Sequence, residues 1–164
     1  MAGITDSPRG FIPVKSFGGE VGRVNPYNLA TANALLGKWD FATMTSAGTL
    51  DRSAATDTQI VGSCASNAAA SAATANFLIY DDPMQIFLAQ SDDGTLVAAD
   101  IFLNIDIIVA AAVNGISAME IDGNTGATTG TLPCKLLRLN RQVGNTIGAN
   151  AAYEVCFNNS ALKS

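Results

Sequence analysis

Residues 77–109 constrain the fold of this chain more than any other stretch, because apolar runs and turn residues alternate there at short intervals. Residues 77–80 are an apolar run that ends at the Asp-Asp-Pro turn of positions 81–83. Proline lacks a backbone N–H and disfavours helix in the residue before it, so we expect a strand that ends in a turn. Residues 84–90 alternate in polarity and predict a second strand. A chain that reverses this often predicts a compact, β-rich core.

The same stretch continues with a turn and a strongly apolar run. Residues 91–95 (SDDGT) predict a turn, and Thr95 is placed to cap a short helical turn over residues 96–100 by accepting hydrogen bonds from its first N–H groups. Residues 101–109 are rich in β-branched side chains and predict a third strand that is buried on most sides.

Short strands separated by Gly, Asn and Pro are expected in the rest of the chain as well. They are residues 11–16, 23–29, 38–45, 59–65, 116–121, 132–142 and 151–158. Pro13 confines the first strand to a sheet edge, and the glycines that follow allow the second to return as its partner. The alanine-rich residues 66–76 are expected to form a surface loop, since interspersed Ser, Thr and Asn compete for backbone hydrogen bonds.

Together these patterns predict an all-β fold, a compact small β-barrel or sandwich with one or two short helical turns. Residues 1–10 are polar and contain Pro8, so we expect a flexible, extended N-terminal arm. Residues 11–164 are then a single β-rich domain, of a size that can bury an adequate core.

The charge balance excludes some partners. The chain carries a formal net charge of −5 and has a sequence pI of about 4.4. An acidic surface repels phosphate, so binding to nucleic acid or to an anionic membrane is disfavoured. We expect neither a signal peptide nor a membrane-spanning run, because no basic segment precedes an apolar one at the start and the longest apolar run is broken by Asp106.

The chemistry-bearing residues do not predict an enzyme, a cofactor or a metal site. The chain has no histidine, which excludes Ser-His-Asp and Cys-His arrangements. The paired carboxylates at positions 81–82 and 92–93 lie on predicted turns, where neighbouring side chains point apart rather than across a cleft. Residues 122–124 (DGN) resemble the start of a calcium loop, but Pro133 stands where the closing Glu of an EF-hand is required.

The three cysteines, Cys64, Cys134 and Cys156, leave two possibilities open. They are widely spaced and contain no CxxC pair, so a zinc knuckle or a redox motif is not expected. One possibility is three reduced, half-buried thiols in a protein made in a reducing cytoplasm. The other is a Cys134–Cys156 bridge between neighbouring strands.

Several segments, taken in order, resemble the capsid decoration (head cement) proteins of tailed bacteriophages. The resemblance covers nearly the whole chain. It is carried by the glycine reversal of residues 17–22 (FGGEVG), Asn145 and residues 10–15 (GFIPVK), 25–27 (NPY), 81–90 (DDPMQIFLAQ), 98–106 (AADIFLNID), 136–139 (LLRL) and 153–158 (YEVCFN). The chain departs from the family pattern in two places. Residues 36–40 (LGKWD) replace a Gly-Asp-apolar entry to a strand, and the alanine-rich tract replaces a more aromatic segment.

The resemblance implies a virion structural protein, made in the host cytoplasm and located on the outer capsid surface. Its partners would be a head built from an HK97-type major capsid protein and further copies of itself, as a homotrimer at three-fold and quasi-three-fold positions. Binding to the expanded head would stabilise it against the pressure of the packaged genome. The candidate partner-binding residues are Arg9, Phe11, Ile12 and Pro13, because an untethered arm with apolar residues beside it is able to add a strand to a neighbour's sheet edge.

Two other function classes stay open. A carbohydrate-binding or adhesive β-module would show clustered exposed aromatic side chains, whereas the single tryptophan, Trp39, lies in a predicted strand. A small hydrolase would require an activity that is lost when Asp82 or Asp93 is changed.

Overall fold

The computed structural model describes residues 5–20, 22–92 and 94–162. Within these ranges the chain forms twelve strands and a single 3₁₀ turn, Ala98–Asp100. The strands are β1 (Ile12–Ser16), β2 (Val24–Tyr27), β3 (Phe41–Met44), β4 (Leu50–Arg52), β5 (Gly62–Cys64), β6 (Phe77–Tyr80), β7 (Gln85–Gln90), β8 (Asn104–Ile105), β9 (Ile107–Ile108), β10 (Glu120–Ile121), β11 (Cys134–Leu139) and β12 (Ala152–Phe157).

The strands form two five-stranded antiparallel sheets and one two-stranded ribbon. Sheet A has the order β1-β7-β12-β11-β8, sheet B has the order β2-β6-β5-β3-β4, and β9 pairs with β10. The all-β prediction is confirmed, and of its two forms the sandwich fits while a closed barrel does not. The outermost strands β1 and β2 contain Pro13 and Pro26, which have no N–H to donate to a further strand.

The main core lies against the inner face of sheet A and is built around four phenylalanine rings. Phe41 of sheet B stacks on Phe11 with 3.8 Å between ring centroids, and it meets Phe87 and Phe157 of sheet A at 5.3 and 5.5 Å. Phe87 and Phe157 contact each other edge to face at 4.9 Å. Because aromatic pairs in such arrangements each add about 0.5–1.5 kcal/mol beyond the area they bury, this cluster joins the two sheets.

A second core lies on the opposite face of sheet B. It is covered by loops rather than by a sheet: Leu36 and Ala68 exchange two backbone hydrogen bonds of 3.0 and 2.9 Å above it. Ala68 belongs to the alanine-rich tract, which forms a loop as predicted. The loops therefore protect one face of sheet B, and the Phe cluster protects the other.

Three local predictions are wrong. Strand β2 pairs with β6 and not with the first strand of the chain. The apolar residues 101–109 do not form one strand, because the chain turns at residues 101–103 before the short strands β8 and β9. The 3₁₀ turn is capped by Asp100 rather than by Thr95, since the backbone N–H of Val97 donates to the Asp100 carboxylate at 2.7 Å.

Part of the predicted arm is held against sheet A. The side chain of Gln90 accepts a hydrogen bond from the N–H of Ser7 at 3.0 Å and donates one to the carbonyl of Thr5 at 3.0 Å. Residues 1–4 of the predicted arm lie outside the described residues. Thr5 and Ser7 are therefore anchored to the end of β7, and Arg9 and Ile12 line a groove together with β7 residues of their own chain.

None of the three cysteines forms a disulfide in the structure. Cys134 lies opposite Phe157 in the β11–β12 pair and faces the core, whereas Cys156 lies opposite Lys135 and faces the other side of the sheet. A bridge between the two would require both side chains to share a face. Burial raises the pKa of the Cys64 and Cys134 thiols well above the usual range, which keeps them protonated.

Two buried aspartates tie loops to the sheets. Asp40 accepts hydrogen bonds from the Ser117 hydroxyl, from the Gly37 N–H at 2.7 Å and from Arg52 Nε at 3.1 Å. Burial raises the pKa of Asp40, and these three donors only partly oppose that rise. Arg52 is itself largely buried, with 13% of its side chain exposed, and it also donates to the carbonyl of Ala110.

The second aspartate, Asp81, fastens the edge strand β2. It accepts hydrogen bonds from Arg23 Nε, from the Asn25 amide and from the Tyr27 hydroxyl at 3.0, 3.0 and 2.5 Å. Burial, followed by the contact with this carboxylate, raises the pKa of Tyr27 to about 12. Because Asp81 has three donors, losing the exposed Arg23 leaves it with two partners.

We predict that Arg52→Met destabilises the fold by about 3–5 kcal/mol at pH 7, because the Asp40 carboxylate stays buried without its cation. Without Arg52 the pKa of Asp40 rises further above its unfolded value. A raised carboxyl pKa stabilises the folded state below the unfolded pKa, near 4, and that stabilisation is lost as the pH rises through the folded pKa. The cost of the substitution should therefore shrink between pH 7 and pH 4, measured by urea unfolding of both proteins.

The matched control is Arg23→Met, which removes an exposed guanidinium from Asp81. It should cost no more than about 1 kcal/mol. A cost of Arg52→Met that is the same at both pH values would contradict the role assigned to the Asp40 charge.

Candidate functional site

The outer face of sheet A is partly open to solvent: Arg138 is exposed, whereas Ile86, Glu154 and Cys156 are buried. Alternation along the strands, together with the pairing register, assigns side chains to it. Its residues are Ile12, Lys15, Ile86, Leu88, Lys135, Arg138, Glu154 and Cys156. The intervening side chains of the same strands, such as Phe87, Tyr153 and Val155, belong to the core. Two grooves cross this outer face, one at each end.

The first groove lies beside the N-terminal arm and has a volume of about 350 Å³. Arg9 and Ser7 form one wall, and Ile12, Leu88 and Gln142 contribute to the rest. Gln90, which anchors the arm, lies at its edge. The groove is mostly polar at the arm and apolar at its floor.

The second groove lies at the other end of the outer face and has a volume of about 440 Å³. Its floor is formed by Ile86 and Leu137, together with an ion pair in which Arg138 Nη2 donates to Glu154 at 2.7 Å. Its rim carries two phenylalanines, Phe17 and Phe102, whose exposed fractions are 55% and 66%. Exposed aromatic side chains that share one concave site are typical of a binding surface rather than of an idle one.

Phe102 is held in a conformation that is unusual for an aromatic residue. Its φ is +73°, in the left-handed region, where a Cβ atom clashes with the backbone. The conformation is fixed by hydrogen bonds from the Phe102 N–H to the Leu136 carbonyl at 2.8 Å and from the Leu136 N–H to the Leu103 carbonyl at 2.9 Å. Strain of this kind concentrates at functional sites, and here it presents a ring to solvent.

The grooves are basic although the chain is acidic. Among the residues that line them, Arg9, Lys15 and Arg138 are cations and Glu154 is an acid. Glu154 is paired with Arg138, whereas neither Arg9 nor Lys15 takes part in an ion pair with any described residue. The outer face therefore offers unpaired positive charge beside apolar surface.

The structure separates the four residues predicted to bind a partner. Arg9 is exposed and Ile12 is half-buried, and both line the first groove. Pro13 lies on the edge strand β1 opposite Phe87. Phe11 is fully buried and stacks on Phe41, so its side chain serves the core of its own chain and is not available to a neighbour in this state. Whether Arg9, Ile12 and Pro13 contact a partner stays a prediction.

The carboxylates considered for catalysis have structural partners where the structure describes them. Asp81 is buried beneath its three donors, and Asp82 accepts a hydrogen bond from the Met84 N–H at 2.8 Å. Asp92 accepts from the N–H groups of Gly94 and Gly123 at 3.0 and 2.8 Å, which closes its loop. Asp93 lies outside the described residues. Within those ranges, no group of three or more acidic or cysteine side chains is arranged to hold a metal ion.

Sequence reasoning missed the aromatic rim of the second groove and Lys15, which lines the same groove. Phe17 and Phe102 are 85 positions apart in the sequence. Phe17 follows β1 and Phe102 precedes β8, and these strands are the two edges of sheet A. The exposed Phe17 in a glycine-rich turn was a usable signal, since turns lie on the surface. Phe102 gave none, because an aromatic residue inside an apolar run predicts burial.

Comparisons of the chain with models of protein families, with curated proteins and with solved structures found no match. In the part of the chain that the structure describes, no helix has the length and hydrophobicity needed to cross a membrane. The grooves and their charges are therefore the observations from which a function can be argued.

We predict that Phe102→Gly raises the free energy of unfolding by about 1 kcal/mol, because glycine adopts the left-handed conformation without the Cβ clash. Most of the ring is exposed, so little burial is lost. Urea unfolding of the purified variant measures the effect.

The control is Phe17→Gly. Phe17 is similarly exposed but does not have a positive φ, so glycine there should lower the stability by up to about 1 kcal/mol. If Phe102→Gly were destabilised as much as the control, the ring would be part of the folded core rather than a strained surface group.

Proposed function

We propose that this chain is a virion structural protein, a capsid decoration protein that binds the outer surface of an assembled HK97-type phage head, as a homotrimer at three-fold and quasi-three-fold sites. The observation that carries the proposal is the groove on the outer face of sheet A, where the exposed rings of Phe17 and Phe102 line the same site as Lys15, which has no ion-pair partner among the described residues. A surface of this kind favours a molecule that works through contacts with other proteins. The resemblance of residues 10–15, 81–90, 98–106 and 153–158 to head cement proteins supplies the kind of partner.

The rigidity of the sandwich supports this function. Loops and the Phe cluster cover both faces of sheet B, and buried aspartates fasten the loops and edge strands at Asp40 and Asp81. A rigid body loses little conformational entropy on binding, so modest contacts yield more net affinity. In a symmetric trimer, three copies engage the head together, and their effective concentration multiplies these contacts. Binding only to the expanded head then stabilises it by mass action.

A carbohydrate-binding or adhesive β-module on the virion surface is the second candidate. The aromatic rim of the second groove favours it, because exposed rings beside a paired Arg138 and Glu154 are able to stack on a sugar and bind its hydroxyl groups. Two observations weigh against it. The rim consists of phenylalanine, which has no hydrogen-bonding group of its own, and Trp39 is half-buried, with the Lys38 ammonium 4.8 Å from the centroid of its ring. Binding of the purified protein to a glycan array, lost in Phe102→Gly, would favour this candidate.

We predict that the purified protein is a trimer by native mass spectrometry and sediments with bare, expanded heads of the phage that encodes it. Decorated heads should withstand heating to a higher temperature than bare heads before they release their DNA, because the bound protein stabilises the assembled state. Cosedimentation and light scattering measure the two effects. The control is the unexpanded precursor head, on which we expect little binding. Protein that stays in the supernatant at micromolar concentration with expanded heads would contradict the proposal.

A further inference from the structure

We infer that the outer face of sheet A is the surface through which one copy of this chain binds a second copy, head to tail, with Phe102 and Lys15 as its anchors. The inference deepens the proposed function and rests on it for the trimer, because it names the surface that holds the trimer together. It follows from the charges, the edges of the sheets and the geometry of Phe102.

The charge of the chain favours a second copy as the occupant. The chain has 14 acidic and nine basic residues, yet the two grooves are lined by three cations and one acid; Arg138 and Glu154 pair with each other, which leaves Arg9 and Lys15. The carboxylates of Asp6 and Glu20, which flank β1 in sequence, line neither groove. The surface outside the grooves is therefore the more acidic part of the molecule, and it complements Arg9 and Lys15 of the next copy.

The edges of the sheets favour contact through a face rather than by strand addition. Strand β1 carries Pro13 and a register shift between Pro13 and Lys15, and β2 carries Pro26. The remaining edge strands, β4 and β8, have three and two residues. Proline, a bulge and short length are the features that protect edges from pairing with another chain. Side chains that stand on a sheet face are then the groups left to hold a neighbour.

A contact between the basic face of one copy and the acidic surface of another is heterologous. Heterologous contacts generate a ring when the rotation between copies closes, whereas an isologous contact stops at a dimer. A closed ring of three copies meets the symmetry of a three-fold position on a head. In each contact, the rings of Phe17 and Phe102 would lose the water that now covers more than half of their surface.

The test is self-association of the full chain, measured by sedimentation equilibrium and native mass spectrometry for the wild type, Phe102→Gly and Lys15→Glu. Each variant should raise the dissociation constant at least tenfold. Phe102→Gly is expected to fold at least as stably as the wild type, so its loss of association cannot come from unfolding. Raising the salt concentration from 50 to 500 mM should weaken association of the wild type and strengthen that of Lys15→Glu, because salt screens an attraction in the first and a repulsion in the second.

The matched control is Lys38→Glu, which makes the same charge change on the segment that leads into β3, outside sheet A. It should associate within twofold of the wild type. Wild-type trimers that persist in both Phe102→Gly and Lys15→Glu would overturn the inference and leave the decoration function standing. A wild type that is monomeric at every concentration would also overturn it, and cosedimentation with expanded heads would then decide separately whether the protein is a decoration protein.

A second experiment distinguishes a nucleic-acid partner from a second copy of the chain, because cations and exposed aromatic rings also bind single-stranded nucleic acid. The probe is a fluorescently labelled 20-nucleotide single-stranded DNA. We expect no binding at physiological salt. Binding that is lost in both variants, together with a monomeric wild type, would show that the outer face serves nucleic acid, and the inference would be overturned.

Discussion

The contact of Phe41 with Phe11, Phe87 and Phe157 is the interaction on which the rest of the structure depends. It brings rings from sheet A, sheet B and the segment before β1 into one cluster, with centroids 3.8–5.5 Å apart. Because these rings fill the space between the sheets, alternate side chains of β7, β11 and β12 must point away from it. The outer face of sheet A and its two grooves are the consequence of that packing.

The outer face gives this acidic, β-rich chain a surface suited to binding other proteins. Its two exposed phenylalanine rings are unusual for a protein that works alone, and the left-handed conformation of Phe102 adds backbone strain. Because proline, a bulge and short length protect the edge strands from pairing with another chain, the side chains on the face are the groups left to contact a partner. A decoration protein that binds a neighbouring copy through this face and a head through another surface would use both the exposed groups of the face and the protected edges of the sheets.

Much of the fold could be predicted from the sequence, because apolar alternation and turn residues indicate the strands β6, β7, β11 and β12. Pro13 likewise predicted an edge strand, and the structure confirms it. The partner of β2 could not be predicted, since a glycine reversal after β1 is equally compatible with a strand that crosses to the other sheet. Phe11 was predicted at a partner contact because local sequence does not show that Phe41 stacks on it. The groove between Phe17 and Phe102 depends on the order of strands in sheet A, which no local pattern encodes.

Hydroxyl-radical footprinting of the protein above and below its association concentration tests the central claim most directly, because it reports the solvent exposure of individual side chains. Oxidation of Phe17 and Phe102 should fall when the copies associate, while Met44 on the β3–β4 hairpin, 39% exposed, should react equally in both states. Unchanged oxidation of both phenylalanines in an associated sample, with protection found elsewhere, would show that the copies meet through another surface.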